Sequence, residues 1–108
     1  DREQVLVEVK NVTLCSADRV AAFPDAVTVR GQKHLLELTA ATRQGYRAVI
    51  FFLVQRSEAT TFSPADDIDP EYGRLLRRAV AQGVEALAYK TSVSPQENRL
   101  GERIPVVL

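Results

Sequence analysis

The chain has 108 residues, 45% of them hydrophobic and 26% charged, enough apolar material for one small globular domain with little to spare. Lys plus Arg and Asp plus Glu are both 14, so the net charge is zero, and no global basic field recruits nucleic acid; any basic surface has to be local. The single cysteine, Cys15, excludes an internal disulfide, and no apolar run approaches the roughly 18 residues needed to cross a bilayer.

These features, with no signal-like N-terminus, predict a cytoplasmic protein without membrane contact. The sequence also contains no methionine and opens on Asp1, Arg2 and Glu3 just before an apolar strand, so it reads as a C-terminal piece of something longer.

In chain order, Val5-Leu6-Val7-Glu8-Val9-Lys10 is the first strand signal. Alternate side chains of a strand share a face, so Glu8 and Lys10 project together roughly 6–7 Å apart, with Val5, Val7 and Val9 on the other side. The expected arrangement packs the valine face on helices and opens the Glu8/Lys10 face into a cleft. An acid and a base so placed suit metal-assisted phosphodiester hydrolysis, in which a carboxylate holds Mg²⁺ and an ammonium orients water or stabilises developing charge. Three residues are a weak motif, and solvent-facing cross-strand charge pairs account for the same spacing.

Asn11 to Leu14 closes this strand, Cys15 to Ala22 reads as a mixed loop, and Phe23-Pro24-Asp25 offers a turn. Thr28 is a candidate N-cap for a helix over 29–43 that stops at Gly45. Gly31, Leu35, Leu38 and Thr42 follow its 3.6-residue spacing and Leu36 widens the stripe, while Lys33, Glu37 and Gln44 lie elsewhere. Gly31 is costly inside a helix, so it is expected to mark close packing against the sheet. Arg47 to Val54 is a continuous apolar run, the pattern of a central strand covered on both faces. After a polar excursion from Gln55 to Ser63, Asp69 and Pro70 give an N-cap and a first-turn proline. Tyr72, Leu75, Leu76, Ala79 and Val80 then predict a helix over 70–82, stopped by Gly83. Val84 to Tyr89 makes another strand, and beyond a loop through Pro95 and Gly101, Ile104 to Leu108 forms an edge strand carrying Pro105. The order strand, helix, strand, helix, strand, strand predicts an α/β domain with a mixed central sheet flanked by helices.

Several stretches together resemble one family: VEVKNVTL at 7–14, FPDAVTVRGQKHLLEL at 23–38, RAVIFFLVQR at 47–56, FSPADDIDPEYGRLL at 62–76 and GVEALAYK at 83–90. They are similar to the C-terminal domain of the sugar fermentation stimulation protein, SfsA. The resemblance implies a restriction-endonuclease-like core of the PD-(D/E)xK kind whose earlier strands are missing from this piece, together with an upstream OB-like domain. It further implies a DNA-binding protein linked to expression of sugar (maltose) metabolism genes, contacting double-stranded DNA mainly through that upstream domain, and it leaves a homodimer open. The family's Glu-x-Lys falls on Glu8 and Lys10, with Glu8 as the metal residue and Mg²⁺ as the implied ion. Its Arg-Gly-x-Lys-His stretch falls on Arg30, Gly31, Lys33 and His34.

Arg30, Lys33, His34 and Asp25 are the candidate DNA-contacting residues, because a loop and helix start following the Glu-x-Lys strand can overhang its cleft. Each has a plainer reading. Lys33 can pair with Glu37 at i+4, His34 can be a half-buried hydrogen-bonding histidine, and Asp25 can be a turn residue. Arg74, Arg77 and Arg78 read as a solvated helix face. The metal-binding aspartate of the nuclease pattern belongs on a strand before Glu8, which this chain does not supply. The sequence therefore predicts a DNA-binding protein with a nuclease-like site, inactive as this piece, with a Mg²⁺-dependent endonuclease in the full-length chain as the alternative.

Overall fold

The structure, a computed structural model, describes residues 4–94 and 97–108, with the side chains of 92–99 outside that description. Asp1, Arg2, Glu3 and Pro95, which figured in the sequence reading, fall outside it. The elements run β1 (Val5–Val12), β2 (Leu14–Cys15), β3 (Val20–Phe23), α1 (Val29–Arg43), β4 (Arg47–Val54), β5 (Thr61–Pro64), α2 (Pro70–Ala81), β6 (Glu85–Ser94) and β7 (Glu97–Ile104). A four-stranded sheet has the order β1-β4-β6-β7, parallel except for the antiparallel β6/β7 pair, and a three-stranded sheet has the order β2-β3-β5. This is the mixed α/β arrangement that the alternation of elements predicts.

Both helices begin and end where the sequence places them. Thr28 Oγ1 accepts from the Gly31 N–H at 3.0 Å, and an Asp69 carboxylate oxygen accepts from the Tyr72 N–H at 3.0 Å, satisfying donors that an uncapped first turn leaves without partners. Gly45 and Gly83 take φ of +88° and +108° just past the two C-termini, the left-handed conformation that ends a helix cheaply only at glycine. Leu36 departs from expectation. It is exposed, and Thr39 takes its place on the buried stripe, its hydroxyl bonded to Leu35 O at 2.8 Å.

The main sheet buries one face. Ala48, Ile50, Phe52 and Val54 of β4 are fully or almost fully buried and pack with Leu35, Leu38, Tyr72, Leu76 and Ala88 in a single core. The parallel register pairs Leu6 with Ala48, Glu8 with Ile50, Lys10 with Phe52 and Val12 with Val54, so the Glu8/Lys10 face of β1 is the helix-side face. That reverses the expected assignment: Val5, Val7 and Val9 are 49%, 50% and 53% exposed on the opposite side. The sequence pattern gives period 2 but no sign, and β-branched residues suit an open sheet face as well as a covered one. The same side of β4 is only partly covered, with Phe51 and Leu53 half-buried and Phe51 stacked on Tyr89 at 5.2 Å.

Other departures are topological. Residues 14–23, read as strand end and loop, form β2 and β3, and part of the polar excursion forms β5, which pairs in parallel with β3. These strands are too short to show a period. The loop expected through Gly101 is instead β7, and the expected final strand reduces to the end of β7 plus a parallel bridge from Val106 to Phe62.

Gly31 marks a close approach, but to α2 rather than to the sheet. A Cβ at Gly31 would lie 2.8 Å from Thr28 Cγ2 and 3.2 Å from Tyr72 Cε2. Gly31→Ala is therefore expected to destabilise the protein by about 1–2 kcal/mol despite the better helix propensity of alanine, because overpacking outweighs the gain. A urea melt showing higher stability would contradict this.

Candidate functional site at the β1 edge

Among the described residues β1 lies at the edge of its sheet, and its helix-side face is only partly roofed by α1. Val12, at the strand's C-terminal end, is fully buried, whereas Glu8 and Lys10 keep 33% and 14% of their side-chain surface. Beside them Leu6, Glu8, His34, Glu37 and Leu38 line an open cleft of about 230 Å³. His34 and Glu37 are i, i+3 on α1, so one helix side presents both to the strand.

Glu8, Lys10 and His34 meet at this cleft. Lys10 Nζ lies 2.8 Å from His34 Nδ1 and 3.4 Å from Glu8 Oε1, and His34 Nδ1 lies 3.1 Å from the same oxygen. The ordinary reading of Glu8 and Lys10 as cross-strand pairs fails on geometry, since their β4 partners are Ile50 and Phe52. Arg30, Lys33 and Asp25 are exposed and do not join the cleft lining. Lys33 forms no ion pair with Glu37 among the described residues. Arg74 and Arg77 are tied to Glu71 and Asp66 at 2.7 Å on the outer face of α2, which supports the solvated reading for both.

Three residues escaped the sequence reading. Glu37 lines the cleft, and its i+3 spacing from His34 was the available signal. Asp69, read only as a cap, is 2% exposed and accepts from the Thr28 N–H and the Gln32 side-chain amide as well as from Tyr72, joining the starts of both helices. Burial disfavours its charge, but those hydrogen bonds outweigh it and hold the carboxyl below its usual range. Tyr72 is completely buried between α1 and Phe23, whose ring meets it edge-on at 5.2 Å, and its hydroxyl has no hydrogen-bond partner among the described residues. Burial, then the charges of Glu8 and Asp69, push that phenol upward, placing it electrostatically close to the cleft acid.

Removing an unpartnered buried hydroxyl removes an uncompensated desolvation cost. Tyr72→Phe is expected to raise stability by about 1 kcal/mol in chemical denaturation. A loss of stability would mean that the hydroxyl has a partner in solution.

Comparison with known proteins places this geometry. A family model described as the sugar fermentation stimulation protein RE domain matches residues 1–97. The chain belongs to the SfsA family. A sugar fermentation stimulation protein homolog of Syntrophotalea carbinolica is 64% identical over 105 residues, covering 97% of this chain and 46% of the relative. The homolog of Pelobacter propionicus is 68% identical over 102 residues, covering 94% and 44%. The solved structure of Pyrococcus furiosus SfsA in complex with Ca²⁺ superposes with a TM-score of 0.88 at 30% identity, covering 96% of this chain and 45% of that one. This chain thus spans just under half the length of the SfsA relatives it matches, and its mixed sheet with helices agrees with the restriction-endonuclease-like core implied by the motifs. Among the described residues no helix is long and apolar enough to cross a membrane.

Proposed function

We propose that this chain is the nuclease-like half of a DNA-binding protein, with a divalent-cation site built on Glu8 and served by Lys10. The observation that carries the reading is the Glu8 carboxylate and the Lys10 ammonium held 3.4 Å apart at the mouth of an open cleft on an edge strand.

The donors suit a hard cation. Glu8 offers carboxylate oxygen that remains one-third exposed, and Glu37 supplies a second carboxylate on the same cleft, the oxygen chemistry that Mg²⁺ and Ca²⁺ prefer. The Pyrococcus furiosus relative was solved with Ca²⁺, which supports a divalent ion in the family. No group of three His, Cys, Asp or Glu suited to a metal exists among the described residues, so Glu8 would hold the ion with substrate and water supplying most of the shell. When bound, the ion supplies charge neutralisation at a phosphate and a more acidic water. The protein's part is positional: Glu8 anchors, Lys10 presents an ammonium to the developing negative charge, and Arg30 and Lys33, exposed on the turns of α1 next to His34, contact the DNA backbone. Asp25, exposed in the loop before α1, borders that approach. The upstream OB-like domain, the link to sugar metabolism genes and any homodimer belong to this proposal for the whole protein.

Fluorescence titration of a DNA duplex with the 108-residue chain, at 50 and 200 mM salt and with Ca²⁺ or EDTA, tests it. With zero net charge and few local cations, binding is expected to be weak and to fall steeply with salt, about tenfold for two phosphates neutralised and about fortyfold for three. Ca²⁺ should strengthen it, and Glu8→Gln should abolish the Ca²⁺ increment alone. Binding that ignores both salt and Ca²⁺ would overturn the proposal.

A further inference from the structure

The contacts among Lys10, His34 and Glu8 favour one arrangement of protons. Three polar atoms lie within 3.4 Å of one another: an ammonium nitrogen, a ring nitrogen and a carboxylate oxygen. If Nδ1 carried a hydrogen, in either the Nδ1–H tautomer or the imidazolium, that N–H would face the Lys10 ammonium at 2.8 Å, donor against donor. With Nδ1 bare and the hydrogen on Nε2, Lys10 donates one hydrogen to Nδ1 and another towards Glu8 Oε1. The 3.1 Å approach of Nδ1 to Oε1 is then two acceptors sharing one cation.

We infer that His34 is a positioning residue, held as the neutral Nε2–H tautomer, whose Nδ1 fixes the Lys10 ammonium against Glu8 and whose Nε2–H is thereby turned away from Lys10, on the ring that lines the cleft. Its consequence for chemistry rests on the function proposed above. Lysine carries four rotatable bonds and loses rotamer freedom when fixed, so a second acceptor besides Glu8 keeps the ammonium aimed when Glu8 turns to a cation. His34 therefore acts through Lys10 rather than as one of a set of backbone-contacting side chains with Arg30 and Lys33, a role that helical spacing alone cannot distinguish.

The assignment is tested on the chain itself without DNA or metal. Long-range ¹H–¹⁵N spectra of the ring, at pH about 8 where an ordinary histidine is neutral, distinguish bare from protonated nitrogens. Nε2–H with bare Nδ1 is expected; an Nδ1–H tautomer or an imidazolium overturns the inference. In Lys10→Met the ring should switch to Nδ1–H, because Glu8 Oε1 is then the polar atom left facing Nδ1 among the described residues; an unchanged tautomer also overturns it. Ammonium-selective spectra give an arm independent of histidine. The Lys10 signal, slowed in exchange by its partners, should survive His34→Asn, whose amide oxygen can replace Nδ1, and vanish in His34→Ala. Equal survival in both variants would show that His34 does not hold Lys10. If all three results come out as expected and DNA still fails to bind, the proposed function falls and this assignment stands.

Discussion

Asp69→Ala is expected to lower the unfolding free energy by about 3 kcal/mol, the largest stability effect of any single polar replacement in the chain. The carboxylate accepts from the Tyr72 N–H as a helix cap, from the Thr28 N–H at the start of the other helix, and through both its oxygens from the Gln32 side-chain Nε2, all at 3.0 Å. Truncation leaves two buried backbone donors unsatisfied and uncouples α1 from α2. Asp69→Asn should cost about 2 kcal/mol, since one amide oxygen can still cap α2 while the NH₂ group confronts another donor. Urea melts with unchanged m-values would report both losses.

The pH dependence has a definite sign. Asp69 is held below its usual range in the folded protein. Its contribution is therefore fully present above the ordinary aspartate value of about 3.9 and is lost as pH falls through the lower folded value. The gap between wild type and Asp69→Ala should stay constant from pH 7 to about 5 and narrow in stronger acid. A gap that persists unchanged to pH 2 would show that the stabilisation does not depend on the ionised carboxylate, and a loss below about 0.5 kcal/mol at pH 7 would show that the hydrogen bonds carry none.

Asp69 also shows what the sequence makes legible. Its capping role is local, three residues from Tyr72, and the Asp69-Pro70 pair declares it. Its bond to Thr28 spans 41 positions and depends on how two helices meet, which no spacing rule encodes. The same divide runs through the fold. Both helices, the central β4 and the presence of β6 follow from periodicity and caps. The small β2-β3-β5 sheet does not, because strands of two to four residues are defined by their pairing rather than by their own pattern.

At the site, period 2 correctly puts Glu8 and Lys10 on one face, and the register then decides which face that is. Val5, Val7 and Val9 mislead because apolar content alone is no sign of burial, and a half-exposed sheet face of valines is compatible with β1 as it stands. Of the residues on α1, only His34 reaches both Glu8 and Lys10; Lys33 is turned about 100° round the helix from it, and Arg30, one turn earlier and about 40° round, is exposed and outside the cleft lining.

On the endonuclease reading of a chain of the length of the relatives, about twice this one, divalent-metal-dependent cleavage of duplex DNA falls by roughly 10³-fold in Glu8→Gln and in Lys10→Met, with binding in the absence of metal changed by less than about twofold. Glu8→Gln removes the charge that would hold the cation but keeps the shape of the side chain. Lys10→Met keeps the length and removes the ammonium that would meet developing charge. Both act where the transition state differs from the bound substrate, so the loss should appear in kcat rather than in affinity. The 108-residue chain alone is expected to show no appreciable cleavage, since Mg²⁺ bound through Glu8 lacks the second acid that the nuclease pattern places on a preceding strand. Cleavage assays with Mg²⁺ and Mn²⁺ on the longer chain and both variants separate the alternatives. Equal activity in variants and wild type would move the chemistry to another site. Absence of cleavage in all of them would leave a DNA-binding scaffold in which Glu8, Lys10 and His34 form a structural charge cluster at the sheet edge.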